Sequence, residues 1–217
     1  MNYRQSFITA TILLLFALVG TALVAFTYDS TRERIAANER ATLQRKLNLL
    51  IPPQAYDNTL LEDTLQVRDA AVFGTEQPVT VYRARHGDAP VGLVMATTAP
   101  DGYSGSIRLL VGINVNGTLG GVRVVAHRET PGLGDAIDEE RSDWIRGFDG
   151  KSLDNPPQAR WAVRKDGGDF DQFTGATITP RAVVKAVRQA LLYYREHQQA
   201  VFTVAGQEGT GMQQTQE

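Results

Sequence analysis

The sequence predicts an α+β protein: one N-terminal transmembrane helix, then a single domain in which helices flank an antiparallel sheet. Three observations predict it. The 22 residues from Phe7 to Tyr28, FITATILLLFALVGTALVAFTY, carry no charge. Four segments between residues 79 and 127 are rich in β-branched side chains, and Asn116-Gly117 joins the last two. Near the C-terminal end, Val183, Val184, Val187, Leu191 and Tyr194 recur at three- and four-residue spacing.

Composition narrows the classes of function. The chain has 217 residues, 22 Lys and Arg against 24 Asp and Glu, and a formal net charge of −2, so no basic surface argues for nucleic acid. There is no cysteine, which removes disulfides, cysteine-held iron–sulfur clusters and thiolate catalysis together. The three histidines, His86, His127 and His197, lie far apart without zinc-site spacing, and no metal site is expected.

Residues 1–6 form a short N-terminal segment ahead of the apolar run 7–28. That run is long enough for ~30 Å of hydrocarbon, which takes roughly 20 helical residues. Phe7, Phe26 and Tyr28 sit near its ends, where aromatic rings favour the membrane interface. Its length and the lack of an A-x-A-like site argue for a retained anchor in membrane lipid over a cleaved signal peptide. Orientation is open on charge alone. Arg4 precedes the span while Arg32, Arg34, Arg40, Arg45 and Lys46 follow it, but the positive-inside rule is weak for long translocated domains.

Residues 29–53 read as a stalk, or as a first helix packing on the domain, with Ile35, Leu43, Leu47 and Leu50 near helical spacing and Pro52-Pro53 ending it. The domain is expected over 54–205. Its strand signals are VTVYRAR (79–85), PVGLVMATT (90–98), SIRLLVGINV (106–115) and LGGVRVVAH (119–127), with Asn-Gly as a hairpin turn. GDAIDEERSDWIRGF (134–148) is expected to be helical, ARWAVRK (159–165) to be a strand, and Gly167-Gly168 to be a turn. In the last helix Thr179 is expected as N-cap and Pro180 as the first helical residue. The polar tail 206–217 is expected to be disordered.

Two stretches are left over. DQFTGATITP (171–180) can be read as a turn into a capped helix, which accounts for Thr179 and Pro180 alone. Gly175 and Ala176 also permit close approach of a ligand, Thr177 precedes a helix N-terminus that favours phosphate, and Asp171 could position a metal ion or proton acceptor. HRETPGLGD (127–135) follows a strand and can be a plain Pro-Gly turn, or a ligand loop at the strand's end. DGYSGSI (101–107) adds a third Gly-rich turn, with an aromatic ring.

Together GYSG, HRETPGLG and DQFTGATIT resemble the FMN-binding domain of the RnfG subunit of the Rnf electron transport complex, related to the C subunit of the sodium-pumping NADH:quinone reductase. The resemblance covers nearly the whole chain. It matches the pattern D-x-x-[ST]-G-A-T at Asp171, Thr174, Gly175, Ala176 and Thr177. It implies FMN linked covalently to Thr177 through a phosphoester, installed by a separate flavin transferase that uses FAD and Mg²⁺. Thr174, Gly175 and Ala176 would be recognition elements and close backbone around the flavin phosphate, with Asp171 at the motif's acidic position. Glu129, Thr130, Pro131, Gly132, Leu133 and Gly134 would face the isoalloxazine. It also implies a bacterial inner-membrane protein with its short amino terminus, residues 1–6, in the cytoplasm and its FMN domain on the periplasmic side, working as an electron relay among the other subunits of an ion-translocating complex. No catalytic residue is expected, nor turnover of substrate by the chain alone. A non-catalytic, membrane-anchored binding or assembly module is the alternative, and a stand-alone membrane flavin reductase is a further rival. Arg164, Lys165 and Arg181 could stabilise anionic flavin or be solvated surface.

Overall fold

A computed structural model describes residues 3–203. Two compact units are present, Met1–Leu43 and Gln44–Glu217. The first belongs to helix α1 (Tyr3–Leu50), whose N-terminal part is long and apolar enough to cross a membrane and buries none of its most apolar window. One helix covers the expected span and the segment after it, and it stops at Leu50, ahead of Ile51-Pro52-Pro53.

The second unit is built on five antiparallel strands, β1 (Thr64–Val67), β2 (Val79–His86), β3 (Ala89–Ala99), β4 (Ile107–Asn114) and β5 (Leu119–Ala126), paired in chain order. The four expected strands appear almost residue for residue because each is a long run of β-branched and apolar side chains bounded by turn residues. β1 is additional. With four residues it carries too little pattern to stand out, and pairing with β2 makes it a strand. Helix α2 (Ala70–Phe73) follows, with the Asp69 carboxylate accepting from the Val72 N–H at its start and left-handed Gly74 at its end.

Alternation divides the sheet's two faces. Leu93 and Met95 of β3, with Ile107, Leu109, Val111 and Ile113 of β4, join the main core. Helix α3 (Ile178–Thr203) covers that face with Val183, Val184, Val187, Leu191 and Tyr194, the stripe its periodicity predicts. On the opposite face Val94 and Leu110 are buried, as are Leu47, Leu50 and Ile51 at the end of α1. Here Gly112 of β4 and Gly120 of β5 carry no side chain. A Cβ on Gly112 would lie 2.8 Å from Leu50 Cβ, and one on Gly120 would lie 2.2 Å from the Leu50 carbonyl oxygen. The last turn of α1 therefore rests in a glycine trough. Gly120→Ala is expected to destabilise the domain by about 1–3 kcal/mol through overpacking. Gly147→Ala, which would meet nothing within 4 Å, serves as the neutral control. Denaturant midpoints of the detergent-solubilised chain decide it, and equal midpoints for the two variants would refute the trough's role.

Three expectations need correction. Residues 134–148 are not one helix but two 3-10 turns, Gly134–Ile137 and Asp143–Phe148. Ser142 breaks the run between them: its Oγ donates to the Ala136 carbonyl at 2.7 Å and accepts from the Trp144 N–H. Residues 159–165 are not a strand. Trp161 and Val163 are both buried, which mimics strand alternation, but Val163 forms only a single bridge with Phe170. The flanking residues form the 3-10 turns Gln158–Arg160 and Arg164–Asp166. Gly167, as expected, sits in a left-handed turn. Finally, Thr179 is not the N-cap of α3. The helix begins at Ile178, the Arg181 N–H donates to the Thr177 carbonyl, and Thr179 is fully buried. The expected disordered tail, 206–217, lies outside the described residues.

An aromatic cluster packs this irregular segment onto the core. Phe148 is fully buried, stacked on Phe170 at 4.7 Å, with the Trp144 ring edge-on at 5.4 Å. Trp144 also reaches Phe173, just before the segment that leads into α3.

Candidate functional site

Three connections meet around one cavity of about 320 Å³: the β3–β4 loop, the loop after β5, and the segment entering α3. Its walls are Tyr103 from the first, Glu129, Thr130, Leu133 and Gly134 from the second, and Gly175 to Thr179 from the third. The fold thus brings together two motifs that lie some forty residues apart in the chain.

Turn chemistry shapes both motifs. In the loop after β5, the Leu133 N–H donates to the Thr130 carbonyl at 3.1 Å, across Pro131 and Gly132, whose φ is 77°. Proline at the second position and a left-handed glycine at the third define a type II turn. Gly132 occupies its corner, outside the cavity lining, while Thr130 and Leu133 line the wall. Before α3, the Ala176 N–H donates to the Phe173 carbonyl at 3.1 Å, and Gly175 has φ 81°. This second turn places exposed Thr174 on its outer corner and sends Gly175, Ala176 and Thr177 into the lining. Gly134 has a different reason to be glycine. A Cβ there would come within 2.7 Å of Glu129 Oε2 and 2.8 Å of Thr179 Oγ1.

The polar part of the cavity is held from beneath. Glu129 is 4% exposed. Its Oε2 accepts from Thr179 Oγ1 at 2.5 Å, and its Oε1 accepts from the Ser104 N–H at 3.0 Å. Thr177 is half-buried and stands immediately before the first turn of the 26-residue helix α3. There, unpaired N–H groups and the positive end of the helix dipole favour an anion. Tyr103, Leu133 and Ile178 are exposed apolar side chains on the rim, so the cavity offers apolar contact beside hydroxyl groups.

The outlying charges are already engaged. The Asp171 carboxylate faces Arg164 at 3.0 Å outside the lining, and its carbonyl accepts from Trp144 Nε1. Arg181 donates from Nε and Nη2 to the two oxygens of Asp166. Those hydrogen bonds hold the Asp166 carboxyl below its ordinary range against a smaller opposing desolvation, and raise the Arg181 guanidinium. Arg164 and Arg181 thus read as paired surface groups.

Of the expected site residues, Glu129, Thr130, Leu133, Gly134, Gly175, Ala176 and Thr177 line the cavity; Asp171, Thr174, Pro131 and Gly132 do not. Tyr103, Ile178 and Thr179 line it without having been assigned a place there. GYSG signalled Tyr103 as an aromatic ring in a glycine turn at a strand's end. Nothing local signalled Thr179, since its partner lies 50 residues away.

Comparison with known proteins covers both ends of the chain. A family model described as FMN-binding domain matches residues 102–192, the span containing every lining residue of the cavity. One described as RnfG N-terminal region matches residues 1–50. Curated relatives named as the G subunit of the ion-translocating oxidoreductase complex are similar over most of their length. The one from Shewanella loihica is 49% identical over 192 residues, 88% of this chain and 91% of the relative. That from Pseudomonas aeruginosa strain UCBPP-PA14 is 50% identical over 210 residues, 94% and 98% of the two chains. That from Vibrio cholerae is 51% identical over 188 residues, 87% and 90%.

Proposed function

The chain belongs to the RnfG family, the G subunits of ion-translocating oxidoreductase complexes, and from that premise we propose that it is a membrane-anchored electron relay whose FMN is esterified to Oγ1 of Thr177. One observation carries the reading: Thr177, at the head of α3, lines a cavity of about 320 Å³ inside the matched FMN-binding span.

The residues present fit the group. The volume falls in the range of small-molecule clefts, roughly 300–1,000 Å³. Tyr103, Leu133 and Ile178 offer the apolar surface a planar ring system needs. The helix start behind Thr177 suits a phosphate. FMN, when bound, supplies exchange of electrons one or two at a time.

The protein's own contribution is attachment and placement. Thr177 would supply the hydroxyl oxygen that a flavin transferase, with Mg²⁺, joins to the flavin-side phosphate of FAD, with AMP as the leaving group taking up the hydroxyl proton. Gly175 and Ala176 keep side-chain bulk away from that oxygen, Thr174 stands outside for the transferase to recognise, and Thr130 and Leu133 form the facing wall. A tether of this kind keeps the redox group in place whatever the free flavin concentration. With no cysteine for a cluster and no nicotinamide motif, the chain leaves substrate oxidation and reduction to other subunits. Residues 7–28 anchor it in the inner membrane with the domain on the periplasmic side.

Mass spectrometry and a denaturing gel test the reading. Native chain made with a flavin transferase is expected to fluoresce under ultraviolet light after denaturation. Its tryptic peptide 166–181 is expected to carry one FMN mass on Thr177, and not on Thr174 or Thr179. A dark band with an unmodified peptide would instead favour the non-catalytic anchored module.

A further inference from the structure

Glu129 is a buried acid with an unusual set of neighbours. It is 4% exposed, it lines the cavity, and among the described residues it forms no ion pair. Isolated charges in protein interiors are costly and are ordinarily paired. Here hydrogen bonds and the helix start take the place of a counter-ion. Both carboxylate oxygens are engaged, Oε2 with Thr179 Oγ1 and Oε1 with the Ser104 N–H. Thr179 lies in the first turn of α3, whose dipole favours negative charge nearby. The Glu129 N–H in turn donates to His127 Nδ1 at 3.1 Å, and His127 Nε2 faces Asp138 Oδ2 at 3.9 Å.

The backbone beside the carboxylate carries no side chain at two positions. A Cβ on Gly102 would lie 2.9 Å from Oε1, and one on Gly134 would lie 2.7 Å from Oε2. Two glycines in two different loops are therefore spaced around this one group. A side chain that merely filled the core would need neither oxygen, whereas both oxygens of Glu129 hold groups of the protein. Glu129 is thereby placed to act through the groups it holds and through its charge.

We infer that Glu129 is the positioning residue of this site: it ties the 102–106 loop to the head of α3, and its negative charge would lower the reduction potential of a flavin bound in the cavity it lines. The electrostatic half rests on the FMN reading; the tie between loop and helix does not. The sign follows from charge. Reduction adds electrons to the group in the cavity, and a buried carboxylate nearby, little screened by solvent, opposes that addition.

Two measurements on the full-length chain test the two halves. In the FMN-loaded protein, the midpoint potential at fixed pH is read by spectroelectrochemical titration. Glu129→Gln keeps shape and an acceptor oxygen but removes the charge, and its midpoint is expected to move positive of the parent. Thr179→Val keeps the charge and removes the hydroxyl, and its midpoint is expected to move less. An unchanged or more negative midpoint in Glu129→Gln, or an equal shift in both variants, overturns the charge role. In the flavin-free chain, Glu129→Ala is expected to speed amide exchange at Ser104 about 2- to 10-fold, the worth of one net hydrogen bond, while β4 amides keep parental rates. Unchanged Ser104 exchange overturns the tie. Should the parent carry no flavin, the FMN reading and the charge role fail together, while the exchange measurement still decides the tie.

Discussion

Thr177→Ala is expected to give a folded, membrane-bound chain with no fluorescence on a denaturing gel, a loss to background from one oxygen. The fold should survive because Thr177 serves α3 through its backbone: its carbonyl accepts from the Arg181 N–H, which alanine preserves. Threonine-to-alanine changes at helix starts cost about 0.5–2 kcal/mol, well inside the stability of a domain this size. Thr177→Ser keeps a hydroxyl and is expected to keep the bright band. Thr179→Ala should stay bright at reduced stability, because that hydroxyl is buried against Glu129 and inaccessible for esterification. The assignment would move to Thr174 if its alanine variant were dark while Thr177→Ala stayed bright and its adduct mapped to Thr174.

Phe148→Ala is expected to cost about 3–5 kcal/mol, the range for removing a fully buried phenylalanine, against a typical total of about 5–15 kcal/mol. Phe148 has no exposed surface and touches Phe170, Trp144 and Trp161. Those rings hold residues 143–173, a stretch with no strand ladder of its own, against the core. Trp144 also passes the support onward: its indole N–H donates to the Asp171 carbonyl, and its ring packs on Phe173 at the start of the turn that delivers Thr177. The variant is thus expected to lose flavin loading as well as stability, although Phe148 lines no part of the cavity. The denaturant midpoint of the solubilised chain, read beside its fluorescence, checks both effects. A stability loss under about 1 kcal/mol would mean that the cluster is not the keystone of this segment.

The legible parts of the sequence were those with a pattern of their own. Strands β2 to β5 are runs of eight or more residues rich in β-branched and apolar side chains, α3 repeats its apolar stripe for several turns, and the Asn-Gly turn is local chemistry. Seven of the ten cavity-lining residues were expected from the Gly-rich loops at element ends and from the resemblance those loops carry. Residues 134–173 were not. There, buried Ile137, Ile145, Trp161 and Val163 imitate helix and strand spacing, while Ser142 and the 3-10 turns satisfy the backbone in another way.

Thr179 shows the division most directly. Read alone it is a good helix cap, since a threonine before a proline is a strong local signal. In the folded chain its hydroxyl meets a carboxylate from 50 residues earlier, and a buried acceptor outcompetes a helix end that water could have served. By itself the sequence determined the long apolar N-terminal helix, four strands of the antiparallel sheet, the last helix and the turn before Thr177, since each depends on neighbours in the chain. Only the tertiary structure decided which polar groups meet, which glycines give room to Leu50 or to Glu129, and which motif residues reach the cavity. Those depend on distances between segments that no local pattern encodes.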